Sequence, residues 1–158
     1  MKTIEIGQKV QDFPVSENVL AEIVLQAKTY DATVPQTDPD EGSNASDDRE
    51  ISILEDQRNN PARVLLERMI QNRSVEEKNA LKALCWIGRG DYDSDSWDEA
   101  YRVAQERDDT PVADYLSGMP LVGNYLETGA AALSMPLTSA EVEVMTHDQN
   151  PDPARSVG

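Results

Sequence analysis

The sequence predicts an all-α protein, a compact single-domain helical bundle of five to seven helices with an acidic loop and a mobile C-terminal tail. Apolar residues recur at intervals of three and four in several stretches, which is the spacing of a helix with one buried face. Helix-capping residues precede these stretches. Alternation of apolar and polar residues is nowhere long enough to predict a strand.

The length of 158 residues favours one domain. We expect an N-terminal arm at 1–15, a helical domain at 16–133 and a weakly structured tail at 134–158. The core should centre on 84–126, which contains both tryptophans and four of the five tyrosines. Aromatic side chains bury the most apolar surface, so they indicate where the helices pack.

The first predicted helix runs from about Glu17 to about Tyr30, with Ser16 as its N-cap. An acidic loop at 31–50 follows, with two prolines, a glycine and few apolar residues. Such a segment buries too little surface to offset its ordering entropy. It is either a solvated mobile loop or an ordered acidic loop laid against the helices, and both alternatives stay open.

Four more helices are predicted before Pro111. A short one passes through 51–54, one begins at Asn60-Pro61, and one follows the capping box of Ser74 and Glu77 and ends at Gly88. A second capping box at Ser96 predicts a helix containing Trp97.

Two prolines separate the helices of the last third. Pro111 opens a short helix, and a longer one runs from Pro120 to about Leu133. Its predicted packing face consists of Leu121, Val122, Tyr125 and Leu126. The pattern then weakens, with only a short helix from Thr138 through Met145.

The net charge of −16 limits the classes of binding partner that we expect. Direct binding to nucleic acid or to an anionic membrane needs clustered Lys and Arg, so neither is expected. A basic protein partner is favoured. The single cysteine excludes an intrachain disulfide, and neither an export signal nor a membrane span is visible, so we expect a cytoplasmic protein.

No metal, cofactor or catalytic set is predicted. Asp91, Asp93 and Asp95 have the spacing that begins an EF-hand loop, but the sixth position is Ser96 and the twelfth is Arg102. Cys85 lies in an apolar stretch, so we interpret it as a core residue.

The candidate ligand- or partner-binding residues are Arg89, Asp91, Asp93, Trp97 and Tyr115. The leading hypothesis is a non-catalytic protein-binding or regulatory module. One alternative is a ligand- or cation-dependent enzyme with a site near the first three of these residues. Another is a nucleic-acid mimic, which requires carboxylates in a regular surface row. Oligomeric state is not predicted.

Four segments carry a resemblance to a known family. They are Trp86–Asp91, Trp97–Ala100, Tyr115–Leu121 and Tyr125–Gly129. Together they resemble an uncharacterised proteobacterial family that is a domain of unknown function, with the pattern WxGRGD, WxEA, YLxGxPL and YLExG. The acidic linker of this family also resembles residues Val34–Asp48, so the likeness spans about 16–133. It implies no activity, ligand or partner.

Overall fold

A computed structural model describes residues 13–34 and 59–149, and these residues contain helices and no strand. The all-α fold class is therefore confirmed. The predicted short helix at 51–54, most of the predicted acidic loop and the residues after 149 lie outside the described residues. The α-helices are α1 (Glu17–Thr33), α2 (Pro61–Gln71), α3 (Val75–Arg89), α4 (Trp97–Glu106), α5 (Val112–Ser117), α6 (Val122–Ala132) and α7 (Thr138–Gln149), with a 3-10 helix at Ser94–Ser96.

The first three helices begin where the capping residues predict. The Ser16 hydroxyl accepts a hydrogen bond from the Val19 amide at 3.2 Å, and the Asn60 side chain accepts one from the Ala62 amide at 2.8 Å. At Ser74 both halves of the capping box form with Glu77, at 3.1 and 2.9 Å. Each cap satisfies amide groups that have no partner within the helix.

The end of α3 differs from the prediction. The helix passes through Gly88 and ends at Arg89, followed by Gly90 in the left-handed conformation with φ 94°. The Gly90 amide donates to the Trp86 and Ile87 carbonyls at 3.1 Å, and the Asp91 amide donates to Trp86 at 2.9 Å. The prediction of Gly88 as the terminal glycine was wrong because Gly90 is the residue with positive φ.

Gly88 instead lies where α3 and α6 touch. A Cβ atom added to Gly88 would lie 2.6 Å from the Tyr125 carbonyl carbon and 2.9 Å from the Gly129 amide nitrogen. Gly129 faces α3 in the same way, because its own added Cβ would lie 3.2 Å from the Gly88 nitrogen. The two helix backbones therefore approach each other more closely than any residue with a side chain would allow.

Helix α3 lies at the centre of the hydrophobic core. Helix α3 packs against α4, α5 and α6, while α1 packs against α2, α6 and α7. Eight consecutive residues of α3, from Ala80 to Ile87, are buried. Cys85 is fully buried as predicted, and this burial raises the pKa of its thiol to about 12. Among the helices described here, none is both long and apolar enough to cross a bilayer.

Two predicted features near the aromatic region are wrong. Ser96 makes no capping hydrogen bond; it closes the 3-10 helix, which runs directly into α4 with the Ser96 backbone at φ −103° and ψ 23°. That conformation is not the extended one in which a serine side chain caps a helix. Leu121 does not belong to the packing face of α6, because it has φ 64°, precedes the helix and is 51% exposed.

Packing extends beyond the boundary predicted at residue 133. Met135 and Leu137 are buried, as is Ala140 in the first turn of α7. Helix α7 lies against α1. Its sequence has few apolar residues at helical spacing, so the contact with α1 could not be predicted from periodicity.

A pair of carboxyl groups lies where α1, α6 and α7 meet. Glu127 forms a 2.7 Å salt bridge with Lys28 and a hydrogen bond with Glu141. Burial, followed by the hydrogen bond and the charge of Glu127, raises the pKa of Glu141 to about 7. The hydrogen bond from Glu141 and the ammonium of Lys28 lower the pKa of Glu127. At pH values below about 7, where the pair holds one proton, that proton therefore resides on Glu141.

We expect Gly88→Ala to lower the free energy of unfolding by about 3 kcal/mol or more, because its methyl group would overlap backbone atoms that cannot move aside independently. Chemical denaturation monitored by circular dichroism measures the change. Gly90→Ala is the matched control, since its added Cβ meets no atom within 4 Å. Gly90→Ala should lower the free energy of unfolding by about 1–2 kcal/mol, because alanine is strained at a positive φ. Equal costs for the two variants would contradict the close helix contact.

We expect stability to fall by about 1–2 kcal/mol as the pH rises from 5 to 8. A carboxyl with a raised folded-state pKa stabilises the fold fully below its ordinary pKa, and this contribution is lost as the pH rises through about 7. The lowered pKa of Glu127 affects stability only below pH 5, outside this range. Urea unfolding at several pH values should show that Glu141→Gln removes the slope. The exposed Glu143→Gln in the same helix should retain it.

Candidate functional site

The end of α3 and helix α5 bring three of the five predicted site residues together. Tyr115 of α5 accepts a hydrogen bond from the Trp86 indole nitrogen at 3.0 Å. The Arg89 guanidinium donates to Oδ2 of Asp91 through Nε at 2.8 Å and through Nη2 at 2.5 Å. Arg89 also hydrogen-bonds Tyr115, and the bonds to Asp91 and Tyr115 raise the pKa of Arg89 further above its usual value.

Tyr92 completes this group, which we call the Trp86 cluster: Trp86, Arg89, Asp91, Tyr92 and Tyr115. The rings of Trp86 and Tyr92 stack with centroids 5.8 Å apart. The hydrogen bonds of Trp86 and Arg89 to Tyr115 thus tie the end of α3 to α5, while the ion pair and the ring contact hold the turn after α3. Stacked rings and a satisfied indole N–H stabilise such a contact beyond the area it buries.

The ion pair between Arg89 and Asp91 lies at the surface. Their side chains are 35% and 42% exposed. An exposed pair contributes little to stability, so its main effect is to fix the direction of the chain after Gly90. The guanidinium is therefore a counter-charge within the acidic turn.

Trp97 and Asp93 lie apart from the Trp86 cluster. Trp97 is 8% exposed and packs on Phe13 and Tyr101, with ring centroids 5.2 and 5.6 Å away. Asp93 is exposed, and its carbonyl accepts the Ser96 amide at 2.9 Å where the 3-10 helix begins. Phe13 thereby anchors the end of the predicted N-terminal arm to α4. A binding role for any of these residues stays a prediction.

Lys82 is a residue that sequence reasoning missed. It is 5% exposed, its ammonium lies 5.9 Å from the centroid of the Trp86 ring, and it donates a hydrogen bond to the Arg107 carbonyl. Burial lowers its pKa, opposed by the charges of Asp109 and Asp108. The sequence did contain a sign of this residue's role, because Lys82 interrupts the apolar stretch of α3 four residues before Trp86.

A cavity of about 190 Å³ opens beside Lys82 and Trp86. Its other lining residues are Arg107, Asp109, Thr110 and Tyr115. A wider groove of about 560 Å³ lies between α1, α2 and α7, with Leu25, Met69 and Met145 in its walls. Tyr115 is the predicted site residue that lines the smaller cavity. Within the described ranges, no three His, Cys, Asp or Glu side chains are placed to hold a metal ion.

Residues 91–99, which we call the acidic segment, present five exposed carboxylates. They belong to Asp91, Asp93, Asp95, Asp98 and Glu99. Asp91 is paired with Arg89; the other four form no salt bridge with a residue that the structure describes. Asp98 and Glu99 lie in the first turn of α4, where the helix dipole favours negative charge.

Comparison with known proteins gives one match, and it covers the helices that build the Trp86 cluster. Residues 64–135 are similar to the family described as "Protein of unknown function (DUF3775)". This region is less than half of the chain. No curated protein matches the chain, and no solved structure does. The likeness therefore indicates an uncharacterised domain family and assigns no activity.

We expect Tyr115→Phe to lower the free energy of unfolding by about 1–3 kcal/mol, because the buried Trp86 N–H loses its acceptor. Tyr92→Phe is the matched control, since the Tyr92 hydroxyl forms no hydrogen bond with another described residue. Urea denaturation followed by tryptophan fluorescence measures both variants. Similar values for the two would show that the indole hydrogen bond contributes nothing to the contact between α3 and α5.

Proposed function

We propose that this protein is a non-catalytic binding or regulatory module that recognises a basic segment of a partner protein on the acidic segment, residues 91–99. The observation that carries the proposal is the set of four exposed carboxylates without an ionic partner among the described residues. They belong to a chain with a net charge of −16. Complementary charge raises the rate of encounter and selects among partners.

The acidic segment is held in place by its neighbours. The Asp91 amide donates to Trp86, the Ser96 amide donates to Asp93, and the Arg89 guanidinium holds the Asp91 carboxylate. A surface ordered before binding loses less conformational entropy when a partner docks. Tyr92 lies half-buried within the segment and adds an aromatic surface of the kind that is enriched in protein interfaces.

Binding fits the chemistry of this region better than catalysis does. Arg89 and Asp91 neutralise each other in a 2.5 Å contact. Cys85 is buried with a thiol pKa of about 12, so it is protonated at neutral pH and is poorly suited to act as a nucleophile. The enzyme hypothesis would need Arg89 or Asp91 to act on a substrate while its charge is neutralised by the other.

We also propose a cytoplasmic setting and membership of the proteobacterial family that the sequence resembles. The support for membership is the likeness of residues 64–135 to an uncharacterised family, together with the segments Trp86–Asp91 and Tyr115–Leu121 that lie inside that region. The support for the cytoplasm is the composition, with one cysteine and a strongly negative net charge.

The test is affinity capture from bacterial lysate with the full-length chain, followed by identification of the captured proteins. Asp93, Asp95 and Asp98 are changed together to Asn. This variant should lose a partner that the wild type retains, and the purified partner should bind the wild type less tightly as salt rises. Isothermal titration calorimetry at two salt concentrations measures the affinity.

The matched control changes Glu22, Glu76 and Glu143 to Gln, which removes the same charge from exposed positions on three other helices. It should bind like the wild type. Equal loss in both variants would mean that net charge alone, rather than the acidic segment, attracts the partner. A partner that is itself a nucleic-acid-binding protein, displaced by DNA, would favour the nucleic-acid mimic.

A further inference from the structure

The cavity beside Lys82 is built from three separate parts of the fold. Helix α3 supplies Lys82 and Trp86, the link between α4 and α5 supplies Arg107, Asp109 and Thr110, and α5 supplies Tyr115. Its volume of about 190 Å³ exceeds the roughly 150 Å³ of an engineered cavity that binds benzene. The space therefore suits a small organic molecule of ring size rather than a single water molecule.

The Lys82 ammonium has unused hydrogen-bonding capacity at this cavity. An ammonium carries three N–H donors, and one of them goes to the Arg107 carbonyl at the end of α4. The other two have no acceptor among the residues that the structure describes. Buried polar groups are as a rule hydrogen-bonded, so the remaining donors need acceptors, which either water in the cavity or a bound molecule can supply.

Charged groups of both signs line the cavity, unlike the predominantly acidic chain as a whole. The lining residues include the cations Lys82 and Arg107 and the anion Asp109. A purely anionic ligand would leave Asp109 without a complementary charge, and a purely cationic ligand would face two cations. A ligand with both signs can place its negative charge at Lys82 and its positive charge at Asp109.

We propose that this cavity binds a free α-amino acid. Its carboxylate accepts from Lys82, its ammonium faces Asp109, and its side chain lies against the rings of Trp86 and Tyr115. The inference is independent of the proposed partner binding, because Lys82 and Asp109 lie outside residues 91–99. It predicts a small-molecule ligand in addition to the basic partner of the proposed function.

The first experiment titrates the full-length protein with each natural α-amino acid, by saturation-transfer NMR and then by calorimetry for those that bind. We expect binding by at least one amino acid with an apolar side chain, such as leucine or phenylalanine. For leucine the charge requirement is tested with two analogues, leucinamide, which lacks the carboxylate, and 4-methylpentanoate, which lacks the ammonium. If phenylalanine binds instead, phenylalaninamide and 3-phenylpropanoate are the analogues. Each analogue should bind at least about tenfold more weakly, since it loses a charge-assisted contact.

The second experiment uses matched variants. Lys82→Met retains most of the side-chain length but removes the ammonium, and Lys78→Met makes the same change one helical turn earlier on α3. Asp109→Asn removes the proposed contact with the ligand ammonium, and Asp114→Asn makes the same change on α5, outside the cavity lining. We expect a loss of at least about tenfold in affinity for the first member of each pair and no change for the second.

Three results would overturn the proposal. They are no binding by any natural amino acid at millimolar concentration, equal binding by the amino acid and its amide, and unchanged affinity in both Lys82→Met and Asp109→Asn. Circular dichroism shows whether Lys82→Met folds. Asp109 is exposed and lies outside the helices, so its variant keeps the test decisive if Lys82→Met does not fold.

Discussion

The contact between Gly88 of α3 and Gly129 of α6 is the constraint on which the remaining structure depends. Both residues lack a side chain at the point where the two backbones meet. Their approach places α3 at the centre of the bundle, with α4 and α5 also packed on it. A helix buried along eight consecutive residues needs neighbours on several sides, and the close approach of α6 supplies one of them.

Burial of charged groups follows from that arrangement. Because α3 is surrounded, Lys82 is only 5% exposed, and its ammonium lies between the Trp86 ring and the Arg107 carbonyl beside the small cavity. On the other side of the bundle, Glu127 and Glu141 share a proton beside Lys28. Burying an isolated charge costs free energy. Each of these groups is therefore paired with an opposite charge, protonated or hydrogen-bonded. The remaining carboxylates of the acidic segment stay in water.

Local signals predicted much of the fold because they act over a few residues. The caps at Ser16, Asn60 and Ser74 depend on a side chain and an amide two or three positions apart, and all three form. Long-range contacts were harder to predict. Gly88 and Gly90 are both glycines near the end of one helix, and only the approach of α6 distinguishes the contact residue from the left-handed one.

The candidate site was predictable to a similar degree. Arg89 and Asp91 are two residues apart, so their ion pair follows from the turn after α3, and Tyr115 joins them because α5 packs on that helix. Trp97 was assigned to the same site by its proximity in sequence. The 3-10 helix between them directs α4 so that Trp97 packs on Phe13 instead.

The residues that make the aromatic region distinctive in sequence therefore serve mainly to pack helices. Gly88 permits the contact with α6, Trp86 and Tyr115 join α3 to α5, and Arg89 directs the following turn. Packed in this way, Trp86 and Tyr115 can contact another molecule where they line the Lys82 cavity. Exposed carboxylates lie on the two links at either end of α4, where they border the Trp86 cluster on one side and the Lys82 cavity on the other. Function in this fold is thus expected at the links, which the packed helices hold in position.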